Sequence, residues 1–234
     1  MSAENSNYNK KEILRFLKQI GVDSRFISVI PPDIYINNLR FSKFSRKKEE
    51  LFKKKYPAIK VVRSTILQKI CLRSSRVLGE ALKPRTKVLI NSNNDPCNKA
   101  VSVILEPYSR KYGIEIIERE FNLKDIEEYD FDALVVPLTL DHEVASILYK
   151  IFHGEKIDLL SFQDKKGSKQ LIYPLINVPL EWIYSWLKLK DTHEVEMENE
   201  ISHEFLIFLE DVVPQVRENI FKASTFLNKK NIIS

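Results

Sequence analysis

The chain reads as an α/β protein, with a short parallel-sheet core set between helical N- and C-terminal regions. Three observations predict this class. Lys87-Val88-Leu89-Ile90 is a short apolar run that passes through a polar turn at residues 91–96 into a helical pattern over 98–112. Two further apolar runs, 114–117 and 133–138, alternate with helical patterns, and strand–helix–strand alternation argues for parallel pairing with right-handed crossovers. Both ends of the chain carry helical periodicity without strand signals.

Taken in order, residues 10–20 place Ile13, Leu14, Leu17 and Ile20 at helical spacing, and Gly21 stops them. Residues 29–38 hold Pro31-Pro32 and Asn37-Asn38 and read as a connecting or extended segment. Residues 42–56 form a basic helix ended by Pro57. A stronger helix covers 60–82, with Leu67, Ile70, Cys71, Leu78 and Leu82 on one face and Lys69, Arg73 and Arg76 on another. Pro84 breaks it before the strand at 87–90, and Pro107 kinks or divides the helix that follows. An acidic linker, 122–132, leads to the third strand. A helix at 141–152 then turns Val144, Ile147, Leu148 and Ile151 inward and ends at Gly154. Helices at 180–189, 200–210 and 214–227 complete the chain. The expected division is a basic helical region at 1–59, an α/β domain at 60–190 and a helical region at 191–234.

Composition narrows the functional classes. Of the 234 residues, 44% are hydrophobic and 29% charged, a water-soluble globular balance, and no apolar run approaches the length of a membrane span. The polar start of the chain lacks the apolar core of a signal peptide, so a cytoplasmic protein is expected. The two cysteines, Cys71 and Cys97, exclude a disulfide framework and a four-cysteine metal site. His142 and His153 lack the i, i+4 spacing of a helical metal pair, and His193 and His203 read as surface residues, so no metal is expected. The net charge of +5 conceals two zones: residues 40–87 carry 16 Lys/Arg against three Glu, net +13, while 115–211 carry 22 Asp/Glu against nine Lys/Arg, net −13. Opposite zones suggest two partners, and RNA suits the basic one. Lys69, Arg73 and Arg76, with Lys83 and Arg85 after them, are the candidate RNA contacts. Trp182 and Trp186 read as core or interface residues, with base stacking as the alternative.

The polar turn carries the most chemistry. A strand, a tight turn and a helix N-terminus make an anion site, because the first helical N–H groups lack partners. Such sites normally use glycine, for positive φ and for close approach of phosphate; Asn91, Ser92, Asn93, Asn94 and Asp95 contain none. Asn tolerates the left-handed region, so the turn itself remains possible. Asp95 reads as the cap of the following helix, with a remnant Mg²⁺–nucleotide ligand as the alternative, and Pro96 removes a donor. Asp141 carries the same two readings. Cys97 at this helix N-terminus is either a reactive thiol or, as preferred here, a passive one.

Three segments in this order resemble the PP-loop ATPase superfamily, in its tRNA 2-thiolation branch. Asn91 to Pro96 fall on the six positions of that family's S-G-G-x-D-S loop, and only Asp95 persists. The run Pro137-Leu138-Thr139-Leu140-Asp141-His142-Glu143-Val144, continuing to His153-Gly154-Glu155, is similar to G-H-N-x-D-D-x-A with its later R-G-D. There Asp141 and Gly154 persist. Tyr173-Pro174-Leu175 and the helix after it resemble the R-P-L segment, and 204–227 resembles the branch's helical end. The resemblance spans about residues 60–227. It implies a PP-loop-like (adenine nucleotide alpha hydrolase-like) core. Active members use cysteines that carry sulfur or an iron–sulfur cluster, which Cys71 and Cys97 alone do not supply. The pattern is therefore closer to the non-catalytic second subunits of the cytosolic wobble-uridine thiolases. That resemblance implies no catalytic residues, no cofactor, tRNA as a partner, and a catalytic PP-loop subunit that takes sulfur from a ubiquitin-like carrier. Two alternatives stand beside it: an active ATP-dependent tRNA-modifying enzyme, and an RNA-binding scaffold unrelated to thiolation.

Overall fold

The computed structural model describes residues 9–121, 126, 129–162, 165, 166, 168–189 and 200–231. Its N-terminal part begins with α1 (Lys10–Gln19), capped by Asn9 Oδ1, which accepts from Lys11 N at 2.9 Å. Ile13 and Leu17, four apart, are fully buried. The segment expected to be a connection is instead a hairpin, β1 (Ile27–Ile30) against β2 (Asp33–Ile36). Its apolar residues decide this: Ile27, Val29, Ile34 and Ile36 are β-branched and at most 1% exposed. Residues 60–62, expected to open a helix, form β3 (Lys60–Val62), parallel to β2 through Ile34↔Val61. The helix starts only after Ser64, whose hydroxyl accepts from Leu67 N at 3.1 Å, giving α4 (Thr65–Ala81). The expected helix at 42–56 likewise divides into α2 (Leu39–Ser42) and α3 (Arg46–Lys55), because Lys43 adopts φ 54° and Ser45 begins a new helix as its cap. Phe44, Phe52, Ile59 and the α1 residues close this first core.

The main sheet contains β4 (Lys87–Asn91), β5 (Glu115–Arg119), β6 (Ala133–Val135), β7 (Lys165–Lys166) and β8 (Lys169–Ile172). Their order is β5-β4-β6-β8-β7. β5, β4 and β6 pair in parallel, as the alternating pattern predicts; β8, which the pattern does not mark, joins β6 in parallel, and β7 is antiparallel at the edge. One face packs on α4, α5 (Pro96–Leu105), α6 (Tyr108–Lys111) and α8 (Leu180–Leu187) through Ile70, Leu78, Val88, Ile90, Ala100, Ile104 and Ile183. Pro107 divides α5 from α6, as expected. The other face holds Leu89, Leu134, Phe131 and Ile126. Beyond the sheet, α7 (Leu140–Phe152) packs on α9 (Glu200–Val212) and α10 (Val216–Asn231) through Leu140, Val144, Leu148, Leu206 and Val216.

The two cores are pinned together by Glu106, which is 5% exposed. It accepts from Val29 N at 3.1 Å and pairs with Arg110 at 2.5 Å and Lys10 at 2.8 Å. Arg110 also donates to the carbonyl of Ile27 at 2.7 Å. Most of the acidic linker at 122–132, His193 and the side chain of His203 lie outside the described residues. Among the described residues no helix is long and apolar enough to cross a membrane.

Candidate functional site

In the strand order β5-β4-β6, the chain leaves β4 toward one side and returns on the other. The switch point therefore lies between β4 and β6, and ligands of open α/β sheets bind beyond the carboxyl ends of such strands. Two sets of sequence candidates meet there: the loop after β4, carrying Asn91 to Asp95, and Asp141 in the first turn of α7 after β6.

The loop has used its own donors. Ser92 N donates to the carbonyl of Arg119 at 3.1 Å. Asn93 N donates to Asn91 Oδ1 at 3.2 Å, and Asp95 N to Asn93 Oδ1 at 3.3 Å. Asp95 Oδ1 then accepts from Cys97 N at 2.8 Å and from Asn98 N at 3.0 Å. Asn98 Nδ2 closes the turn on Asn93 Oδ1 at 2.6 Å. Three consecutive Asx interactions thus occupy the amides that a phosphate would take, and Pro96 contributes none. The N-terminus of α5 is capped by the chain's own carboxylate, which is also the wrong charge to sit beside an incoming anion. A triphosphate does not fit this donor set.

Asp141 is only 2% exposed and is a junction rather than an open ligand. Its Oδ2 accepts from Leu180 N at 2.6 Å, fixing the start of α8. Its Oδ1 lies 3.0 Å from Arg217 Nε of α10, off the N–H direction, and Arg217 also pairs with Glu210 of α9. One carboxylate therefore ties α8 and α10 to α7. Two positions along the same helix, Glu143 is fully buried, with Oε2 accepting from Ser161 N at 3.2 Å. Burial pushes its carboxyl up to about 7. Sequence reading missed Glu143, Arg217 and Glu210; no spacing or motif marks them, since their partners come from distant segments.

The thiols do not form a reactive set. Cys97 is buried at the start of α5, and burial, with Asp95 and Asp141 nearby, pushes its thiol up. Cys71, on α4, is pushed up to about 12 by burial. Among the described residues no group of three or more His, Cys, Asp and Glu side chains is suited to hold a metal ion. With two cysteines in the whole chain, the donor set does not fit a thiolate-ligated iron–sulfur cluster.

The five basic candidates do not form one patch. Lys69 and Arg73 both sit over the Trp182 ring, at 5.5 and 4.3 Å from its centroid. Arg73 is further held by the carbonyl of Asn177 at 2.7 Å and by Glu218 at 3.4 Å. Arg76, one turn on, is exposed. Lys83 and Arg85 are exposed in the turn that feeds β4, at the opposite end of that strand from the Asn91–Asp95 loop. Trp186 is 8% exposed and packs edge-on against Tyr35 at 5.7 Å, a core role.

No protein-family profile and no curated protein matches the chain. Among solved structures it is similar to the U34-tRNA thiolase NcsA from Methanococcus maripaludis with its [4Fe-4S] cluster. The TM-score is 0.54 at 15% identity, over 74% of this chain and 82% of that one. The chain shares the fold of that protein. At this identity the likeness speaks to fold alone.

Proposed function

We propose that this chain is a non-catalytic subunit supporting 2-thiolation of the tRNA wobble uridine in the cytoplasm. It binds tRNA through its basic helical side and pairs with a catalytic PP-loop subunit. The observation that carries this reading is the closed loop at the switch point. On a fold like that of a U34-tRNA thiolase, the amides of the phosphate position are bonded to Asn91, Asn93 and Asp95. The separated, passive thiols of Cys71 and Cys97 add support, since sulfur transfer needs accessible thiolates or a cluster.

Partner pairing has a surface to use. Along α9, Ile201, Phe205, Phe208 and Val212 recur at helical spacing and are 76, 37, 60 and 63% exposed. Phe152 at the end of α7 extends the strip, meeting Phe205 edge-on at 5.3 Å. An apolar strip of this kind fits a protein interface better than open solvent. In this assembly the partner receives sulfur from the ubiquitin-like carrier, so this chain meets that carrier only indirectly.

Mass spectrometry of tRNA nucleosides from cells lacking the chain tests the reading, with rescue by wild type and by Asp95→Ala. Loss of wobble 2-thiouridine, restored by both versions, supports a non-catalytic thiolation subunit. Restoration by wild type alone would establish a working nucleotide site. Unchanged 2-thiouridine in the deletion would exclude thiolation and favour an RNA-binding scaffold.

A further inference from the structure

A second concavity lies away from the switch-point loop, past β8. A cavity of about 500 Å³ opens between α4, the start of α7, the turn at Asn177 and α10. It contains none of the residues Asn91–Asp95, and nothing about the phosphate position of the fold assigns it.

Its lining is divided by chemistry. Leu140, Phe221 and Phe226 supply an apolar wall. Arg76 and Lys222 face it from opposite helices; both are exposed, and neither forms an ion pair or hydrogen bond among the described residues. Arg73 closes one side, its guanidinium held by the Trp182 ring at 4.3 Å, the Asn177 carbonyl at 2.7 Å and Glu218 at 3.4 Å. It therefore acts as a fixed wall, whereas Arg76 and Lys222 remain available. Between the two chemistries sits Thr225, whose Oγ1 is buried with no hydrogen-bond partner among the described residues.

We infer that this cavity binds a nucleotide unit: an aromatic base against Phe221 and Phe226, with its phosphate between Arg76 and Lys222. The volume lies within the range of small-ligand sites. Aromatic rings stack any base through its π face, while paired cations fix a phosphate without reading sequence. A free inorganic anion would leave the apolar wall unused, and a purely apolar ligand would leave two cations unused. The unit comes either from a mononucleotide or from single-stranded RNA; the RNA source rests on the proposed tRNA role, and the mononucleotide source does not.

Two probes separate the sources. Uridine monophosphate is titrated calorimetrically, and a short single-stranded RNA carrying 4-thiouridine is photocrosslinked to the full-length chain, with crosslinked peptides mapped by mass spectrometry. The RNA source predicts crosslinks at Phe221 or Phe226, with only weak mononucleotide binding. The mononucleotide source predicts saturable uridine monophosphate binding that competes the RNA away. In either case Arg76→Glu and Lys222→Glu, both surface changes, each weaken binding by about tenfold or more, as expected for reversing one phosphate contact. Each also lowers the salt dependence of RNA binding by at least about 0.7 per contact. Phe221→Ala guards the assignment, because a nonspecific basic surface would lose nothing by it. Crosslinks elsewhere, binding unmoved by Arg76→Glu and Lys222→Glu, or absence of binding by both probes would overturn the inference. Cavity binding without any effect of the deletion on 2-thiouridine would overturn the thiolation reading while leaving the cavity intact. The converse result would overturn the cavity alone.

Discussion

The crevice between β4 and β6 and the cavity between α4 and α10 differ in how their polar groups are spent. In the crevice, Asp95 and Asn93 satisfy the loop's amides, and Asp141 is consumed in joining α7, α8 and α10. In the cavity, Arg76 and Lys222 stand without ion-pair or hydrogen-bond partners among the described residues. A binding site needs donors that the protein has not already used; a helix N-terminus at the right place in a fold does not suffice once the chain caps it.

The largest test of that contrast is Asp141→Ala. Removing one partner of a buried pair leaves Leu180 N without its acceptor and Arg217 with Glu210 alone, at a cost of up to about 3–5 kcal/mol. Urea denaturation should show it as a lower midpoint. A midpoint left in place, together with altered nucleotide binding, would make Asp141 a ligand and reopen the crevice. Glu143 offers a second test on the same helix, through pH. Its carboxyl titrates near 7 in the fold against a normal value of 4.5, so the folded state holds a proton that the unfolded chain has already released. Stability therefore falls as pH rises from about 4.5 to about 7 and levels off above, by up to about 3 kcal/mol for this group. Glu143→Gln keeps an acceptor for Ser161 N and removes the titration. Its midpoint should exceed wild type at pH 8 and converge with it near pH 4.5; parallel profiles would show that Glu143 is ionised in the fold.

How much of this was legible before the structure follows from where each interaction originates. The parallel strands β4, β5 and β6 and the helices around them follow from local periodicity, and β4 with its turn could be placed to within a residue. The strand β8, Lys-Gln-Leu-Ile, was not, because a short half-polar run becomes a strand only through its pairing with β6. The β1–β2–β3 sheet was hidden behind Pro31-Pro32 and a basic stretch that mimics a helix. Asp95 as a cap needs only its neighbours two and three residues on, so the sequence sufficed. Arg73 facing Glu218, 145 residues away, needs the fold, and so does the lining of one cavity by both Arg76 and Lys222.

Asp95→Ala should cost about 1 kcal/mol, the usual loss for removing a helix cap. Thermal melts would register it, with tRNA 2-thiouridine unchanged. A loss of modification out of proportion to stability would mean that the carboxylate does more than cap α5.

The smallest effect separates the cavity from a diffuse basic surface. Arg85 is exposed and adopts φ +65°, in the left-handed region that suits glycine. Arg85→Gly relieves about 1 kcal/mol of backbone strain but admits more freedom in the unfolded chain, so a net gain of about 0.5 kcal/mol is expected in urea. Because Arg85 lies in the turn before β4 and outside the cavity lining, the same change should barely weaken binding of a short RNA. Arg76→Glu in parallel should weaken it about tenfold. If the two variants lose affinity equally, phosphate contacts are spread across the whole basic zone from Arg40 to Lys87, and the cavity has no privileged place in it. If only Arg76→Glu does, the contact is confined to the groove where α10 supplies Lys222 and Phe221, and the basic composition of the N-terminal half serves mainly to bring RNA there.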